Sequence, residues 1–137
     1  MLRLRRRSIC SVVLLAASLS CVNAGESFPF GSELMLDTEP LHRSKRVPMI
    51  QIEEDGSASI DLWCSSLRAQ ATVGDGSIAI VPAPAANAAP EPSCEPDRQA
   101  RDAELLTALA QVTAWRRSGE VVELTGPKPL RFRQMTN

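Results

Sequence analysis

Residues 56–64, GSASIDLWC, determine the fold class of this chain. Apolar side chains occupy every second position, at Ala58, Ile60 and Leu62, and the residues between them are serine, aspartate and finally Trp63. An alternation of period two is typical of a strand with one face in the core and the other nearer to water. The stretch therefore predicts a sheet that is solvated on one side.

Further strands are predicted on both sides of this stretch. Before it, the apolar runs 33–37 and 47–52 each suit a strand, and the Glu-Asp-Gly sequence 54–56 is a turn signal typical of hairpins. After it, residues 70–73 and 78–81 flank a Gly-Asp-Gly-Ser turn and predict a second hairpin.

One helix is predicted near residues 97–113, with Asp97 as its N-cap. It follows residues 82–93, a Pro/Ala-rich segment that predicts an exposed loop. The polar face of the helix is mixed in sign, which favours packing on a sheet over binding to a membrane surface. The predicted apolar stripe consists of Ala103, Leu106, Leu109, Ala110 and Thr113, widened by Leu105 and Val112.

The chain ends in three predicted strands, 113–117, 121–125 and 130–133. In the last two, Val122, Leu124, Leu130 and Phe132 are predicted to face inward, and Arg131 and Arg133 outward. About seven short strands and one late helix define a β-rich α+β fold, an antiparallel sheet with the helix packed on one side.

The first 24 residues have the three parts of a secretory signal peptide. Four arginines lie within residues 1–7, an apolar stretch follows, and Val-Asn-Ala ends the segment. The apolar stretch, about 12 residues, is well short of the ~20 residues of a membrane-spanning helix. We expect cleavage between Ala24 and Gly25, which leaves residues 25–137 as a single, monomeric domain in the periplasm or outside the cell, with no integral membrane span.

Cys21 leaves a minor alternative open, an outer-membrane lipoprotein attached through this cysteine. A lipoprotein signal has a leucine-like residue three places before the lipidated cysteine, and here that residue is Ser18. The soluble form is therefore favoured.

The mature chain is acidic. None of the 16 acidic and four of the 15 basic residues lie in residues 1–24, so 11 basic and 16 acidic residues remain, for a net charge of −5. This balance argues against nucleic acid as a partner.

Cleavage also leaves two cysteines, Cys64 and Cys94, which predict a disulfide in an oxidising compartment. A metal or redox pair is disfavoured because the two are 30 residues apart and the only histidine, His42, is distant in sequence. No metal and no cofactor are expected.

The order and spacing of these segments resemble the META domain, the family of the heat-shock protein HslJ. The resemblance rests on residues 56–80, Cys94, the helical segment 102–113 and the hairpin 119–132, and it covers roughly residues 28–135. Its most specific part is Leu-x-x-Val-Thr at the end of the helix, followed by Gly-x-x-x-x-Leu and Leu-Arg-Phe. It implies a cone-like or barrel-like sheet with a helix across it, in an exported or lipid-anchored bacterial envelope protein linked to stress tolerance, without an assigned reaction.

The chain departs from the family where the family usually has Gly-Cys-Asn, because Trp63, Cys64 and Ser65 stand there. The threonine-rich stretch that usually precedes the second cysteine is replaced by the Pro/Ala-rich loop. These departures predict a reshaped corner, while the fold is retained.

The sequence favours a non-enzymatic envelope accessory or binding protein, whose partner is an envelope protein or an apolar small ligand. Trp63 and Trp115 are the candidate contact residues, with burial in the core as an equal alternative. A lipid-binding protein similar to the secretion pilotins is one alternative function. A small periplasmic hydrolase is another, disfavoured because His42 is the only histidine.

Overall fold

The computed structural model describes residues 26–84 and 93–136. The predicted signal peptide, its cleavage between Ala24 and Gly25, and the alternative of lipidation at Cys21 lie outside the described residues, as does most of the Pro/Ala-rich loop, residues 85–92. Within the described residues, no helix has the length and apolar character needed to cross a membrane.

The strands form one antiparallel sheet in the order β5-β4-β3-β2-β1-β8-β7-β6. This confirms the predicted β-rich fold, with one strand more than the approximate number expected. The elements are β1 (Leu34–Leu36), β2 (Met49–Ile52), β3 (Ser57–Asp61), β4 (Ser66–Val73), β5 (Ile78–Pro82), α1 (Pro96–Ala110), β6 (Ala114–Ser118), β7 (Val121–Thr125) and β8 (Leu130–Gln134).

A tight turn separates β3 from β4 and moves Trp63 out of the strand. The N–H of Leu62 donates to the carbonyl oxygen of Ser65 at 2.7 Å, which closes the turn. Trp63 is consequently buried, 8 % exposed, and does not lie on the outer face of the sheet as the alternation predicted. At the same end of the sheet, β5 ends in Pro82, which the sequence placed in the loop and which pairs with Ala69 near the start of β4. β5 is an edge strand of the sheet, and an edge strand tolerates the missing N–H of a proline.

The sheet curls until its two edge strands meet at one corner, and so it is nearly closed into a barrel. An isolated bridge joins Ser77, just before β5, to Ala114, the first residue of β6. Beside it, the N–H of Ile78 donates to the carbonyl oxygen of Thr113 at 3.1 Å. Trp115 adds two more hydrogen bonds, from its backbone N–H to Gly76 at 3.1 Å and from its indole N–H to the carbonyl oxygen of Gly74 at 2.9 Å. The barrel-like sheet implied by the family resemblance is confirmed.

We expect Trp115→Phe to lower the free energy of unfolding by about 1 kcal/mol, the net value of one intramolecular hydrogen bond. The phenyl ring keeps an aromatic contact with Phe28, whose ring lies edge-on to the indole at 5.2 Å, but it cannot donate to Gly74. Chemical denaturation measures the change. Val81→Ala, at a side chain 66 % exposed, is the control and should stay within about 0.5 kcal/mol of the parent. An equal effect of the two substitutions would contradict the structural role of the indole N–H.

α1 packs against β5 and lies across the end of the barrel where β1, β3 and β7 end and β8 begins. Its first residue is Pro96, which lacks an N–H and has a backbone angle suited to the first helical position. The N-cap is therefore Glu95, and the prediction that Asp97 caps the helix is wrong. Asp97 lies in the first turn, where a carboxylate is favoured by the helix dipole.

The buried stripe of α1 is rotated from the predicted one. Asp102, Leu105, Ala108 and Leu109 are its buried residues, whereas Ala103 and Ala110 are exposed, so their predicted inward positions are wrong. The rotation arises because a charged residue, Asp102, occupies an inward position that the apolar pattern assigned to its neighbour.

The interior of the barrel is filled by one hydrophobic cluster. Its members from the last two strands are the four predicted to face inward. At the end opposite α1, Phe28 is buried and packs against Trp115 and Phe30. The largest fully buried side chains are Phe132, Leu34, Ile52, Ile60, Leu62, Leu109, Leu124 and Val122.

Candidate functional site: a groove along the helix

Two ties fix α1 to the corner between β3 and β4. The first is the Cys64–Cys94 disulfide, with Cα atoms 5.7 Å apart, which confirms the predicted pairing and joins the corner to the residues just before the helix. The second tie is Asp102, on the inner side of α1. Both ties hold the corner formed by Trp63, Cys64 and Ser65.

Asp102 binds the corner through its carboxylate. One oxygen accepts from the N–H of Trp63 at 2.8 Å, and the other accepts from the N–H of Cys64 at 3.0 Å and the hydroxyl of Ser65 at 3.4 Å. The two backbone N–H groups lie at a turn and have no strand partner, so the carboxylate takes the place of the missing hydrogen bonds of the sheet. Asp102 was not among the residues predicted to face inward or to form a site. Its spacing of three and seven residues from Leu105 and Leu109 is the signal that could have identified it as an inward residue.

Burial raises the pKa of the Asp102 carboxyl above its ordinary value of 3.8, and the bonds from Cys64, Trp63 and Ser65 and the charge of Arg46 oppose this only in part. The folded state therefore holds the proton to a higher pH than the unfolded state does, and this makes the protein less stable as the pH rises through that interval. We expect the stability of the parent relative to Asp102→Asn, which does not titrate, to fall as the pH rises from below 3.8 and then to level off. Denaturant titrations over a pH series measure the difference. A difference that increases with pH would contradict this account.

Trp63 forms part of the floor of a surface pocket of about 240 Å³, together with Leu36, Leu105 and Leu130. Its indole N–H is buried and has no hydrogen-bond partner in the part of the chain that the structure describes. A buried donor without an acceptor costs about 1–3 kcal/mol, and native structures retain few of them. We name this cavity the Trp63 pocket.

The rim of the Trp63 pocket is charged. The carboxylate of Glu104 lies 3.6 Å from Arg101 and 3.8 Å from Lys128, and the carboxylate of Asp37 lies 3.2 Å from Arg131. Thr38 and Pro129 complete the rim. The pocket thus combines an apolar floor with a polar edge, as small-molecule sites do.

A second pocket, of about 520 Å³, lies next to the first along α1. The two share Arg101 and Glu104, and together we name them the helix groove. Its floor includes Arg98, whose Nε is the other buried side-chain donor without a partner among the described residues. The described residues that line this second pocket are Leu41, His42, Glu95, Asp97, Arg98, Ala100, Arg101 and Glu104.

The two tryptophans singled out in the sequence are not brought together. Trp63 lies under the helix groove, whereas Trp115 lies at the β5–β6 corner with its indole N–H bonded to Gly74. His42 lines the second pocket, which Glu95, Asp97 and Glu104 also line. Among the described residues, no three His, Cys, Asp or Glu side chains are placed to hold a metal ion.

These features define a nearly closed, eight-stranded antiparallel barrel with a helix tied across one end. The chain belongs to the META domain family, whose model matches residues 32–136 and so includes every strand and the helix. No curated protein and no solved structure is detectably similar to the chain.

Proposed function

We propose that this is an exported, non-enzymatic binding protein of the bacterial cell envelope, an HslJ-like accessory factor in stress tolerance, and that it binds its partner in the helix groove. The observation that supports this is the position of the two unpartnered donors. Trp63 Nε1 and Arg98 Nε, the two buried side-chain atoms without a partner in the described residues, belong to residues that line this groove. A bound ligand would supply the acceptors that both lack.

The filled interior favours the groove over a cavity inside the barrel. Leu109 of the helix and Leu124 and Phe132 of the sheet are fully buried, so side chains occupy the space between helix and sheet. A pilotin-like protein that encloses a lipid chain needs that space open. The alternative of an apolar ligand therefore applies to the floor of the groove, not to the interior.

The chemistry of the groove supports binding rather than catalysis. His42 shares its pocket with the carboxylates of Glu95, Asp97 and Glu104, but no serine, threonine or cysteine among the described residues lines that pocket. The hydroxyl of Ser65 is 3.4 Å from Asp102, and that of Ser66 lies between Arg46 and Asp61, so both are engaged in the corner rather than presented beside a base. A nucleophile within reach of a base, which a hydrolase of this type requires, is missing from this arrangement.

The export part of the proposal is tested by the intact mass of the protein purified from a bacterium that expresses the full chain. We expect a chain that starts at Gly25 and weighs two hydrogens less than its reduced form, which corresponds to one disulfide within the chain. If the mass is that of a diacylated Cys21 product, the protein is attached to a membrane and is not the soluble form proposed. An uncleaved chain would contradict export through a signal peptide.

The binding part is tested by nuclear magnetic resonance, with the two indole N–H groups as internal probes. A library of soluble envelope metabolites and short peptides is added to the mature, oxidised protein. We expect ligands that move the resonances of Trp63 and of the groove residues while the indole resonance of Trp115 stays in place. Ligands that shift only the resonances of residues at the β5–β6 corner would indicate a binding site at that corner instead of in the groove. A library in which no ligand binds the groove would contradict the proposal.

A further inference from the structure

We infer that the Trp63 pocket recognises a carboxylate carried by a short apolar group. This inference rests on the proposed function, because it names the class of ligand for one half of the helix groove. It follows from the balance of donors and acceptors in the pocket, from its charge and from its size.

The pocket has more donors than acceptors. Three cations line it, Arg101, Lys128 and Arg131, against two carboxylates, those of Asp37 and Glu104. Each carboxylate is already shared between two cations, because Glu104 contacts Arg101 and Lys128 and Asp37 contacts Arg131 and Arg133. Outside the pocket, Glu123 lies 4.0 Å from Arg131, and the positive charge of Arg133 offsets it. The indole N–H of Trp63 adds a donor with no acceptor.

The charge of the pocket fits a ligand with one negative charge. Three cations and two carboxylates leave one positive charge among the residues that line it. A monoanion neutralises this excess, whereas a dianion such as a phosphate monoester would leave the site negative. A carboxylate also accepts from a guanidinium and an ammonium group in the geometry that these donors prefer.

The floor and the volume define the rest of the ligand. The apolar side chains of Leu36, Leu105 and Leu130 and the ring of Trp63 form a surface that favours a hydrocarbon group. A volume of about 240 Å³ is below the ~300–1,000 Å³ of sites for drug-sized molecules. A single ring or a short chain fits this volume, and a long acyl chain does not.

Entry of the carboxylate requires a small rearrangement of the rim. The indole N–H of Trp63 has no surface open to water, so an acceptor reaches it only when side chains around it move. The contact between Lys128 and Glu104, at 3.8 Å between side chains that are 60 % and 56 % exposed, is of the kind that contributes little to stability. The ligand carboxylate would take the place of Glu104 at Lys128.

The test uses three probes that share one ring and one chain length, 3-phenylpropanoate, 3-phenylpropan-1-ol and 3-phenylpropylamine. Each is titrated into the mature, oxidised protein while the two indole N–H resonances are recorded. We expect 3-phenylpropanoate to bind at least about tenfold more tightly than the alcohol, to move the Trp63 resonance and to leave that of Trp115 in place.

Variants separate recognition of the carboxylate from damage to the fold. Lys128→Met keeps the aliphatic stem and removes the charge, so we expect it to weaken 3-phenylpropanoate about fivefold or more and to leave the alcohol unchanged. Arg68→Met, which removes a cation from β4 outside the helix groove, is the matched control and should change neither. Trp63→Phe should also weaken the carboxylate more than the alcohol.

Several outcomes would overturn the inference. If the alcohol binds as tightly as the acid, or if the amine binds most tightly, the groove binds ligands without preferring carboxylates. The inference would then be wrong, while the proposed binding function would still hold. The absence of any shift with all three probes would overturn the inference alone, since the broader library judges the groove itself. Gly-Gly-Phe, as free acid and as amide, then identifies the source of the natural carboxylate. If the free peptide binds more tightly than 3-phenylpropanoate, the ligand is a protein C-terminus. If the two acids bind with equal affinity, the ligand is a small molecule.

Discussion

Replacement of Asp102 by alanine is expected to lower the free energy of unfolding by about 3–5 kcal/mol, because it leaves the N–H groups of Trp63 and Cys64 buried without an acceptor. Each such group costs about 1–3 kcal/mol, and the carboxylate is the acceptor that the structure provides for both. The measurement is denaturation by urea at neutral pH with the disulfide intact.

Two companion variants define this effect. Asp97→Ala removes an exposed carboxylate from the first turn of the same helix, where the helix dipole favours it, and should lower the stability by no more than about 1 kcal/mol. Asp102→Asn keeps one oxygen acceptor and should fall between the parent and Asp102→Ala. If Asp102→Ala matched Asp97→Ala, the corner would not depend on this carboxylate.

Removal of the disulfide by Cys64→Ala together with Cys94→Ala is expected to lower the free energy of unfolding by about 3–4 kcal/mol. The cysteines are 30 residues apart, and the crosslink limits the freedom of the unfolded chain between them. Denaturation of the double variant against the oxidised parent measures the loss.

The reduced parent serves as the control for this prediction. A reductant should bring the parent close to the double variant and leave the double variant unchanged. Because Asp102 and the disulfide hold the same corner, the combination of both changes should not be additive. A double variant as stable as the oxidised parent would mean that the crosslink contributes nothing to the fold.

The periodic parts of the fold could be predicted from the sequence, because each pattern is local. The alternation at Ala58 and Ile60, the Asp-Gly turn before it and the inward positions of Val122 and Phe132 all appear in the structure as expected. Family resemblance supplied the curvature of the sheet, which no local pattern in this chain encodes.

The candidate site could be predicted only in part. Trp63 was predicted as a contact residue, but its alternation with Leu62 placed it on the outer face of the sheet. The turn that moves Trp63 out of the strand depends on Ser65 and on Asp102, a helix residue 39 positions away. The helix groove combines α1 with the loops that follow β1 and β7, and no spacing in the sequence joins these segments. Arg98 and Lys128 have the appearance of ordinary surface charges until the fold places them there.

The strand order has a consequence for the time at which this protein can fold. β1 lies inside the sheet between β2 and β8, and its pairs include Leu34 with Gln134, so the first strand needs the last one before it is complete. Pairing between residues so far apart in the chain carries a high loop-closure cost and is typical of slow-folding proteins. When the chain emerges with its N-terminus first, β1 therefore remains an unpaired edge until nearly the whole sequence has emerged. A protein shortened before β8 would keep that edge permanently, in a form suited to pairing with other chains.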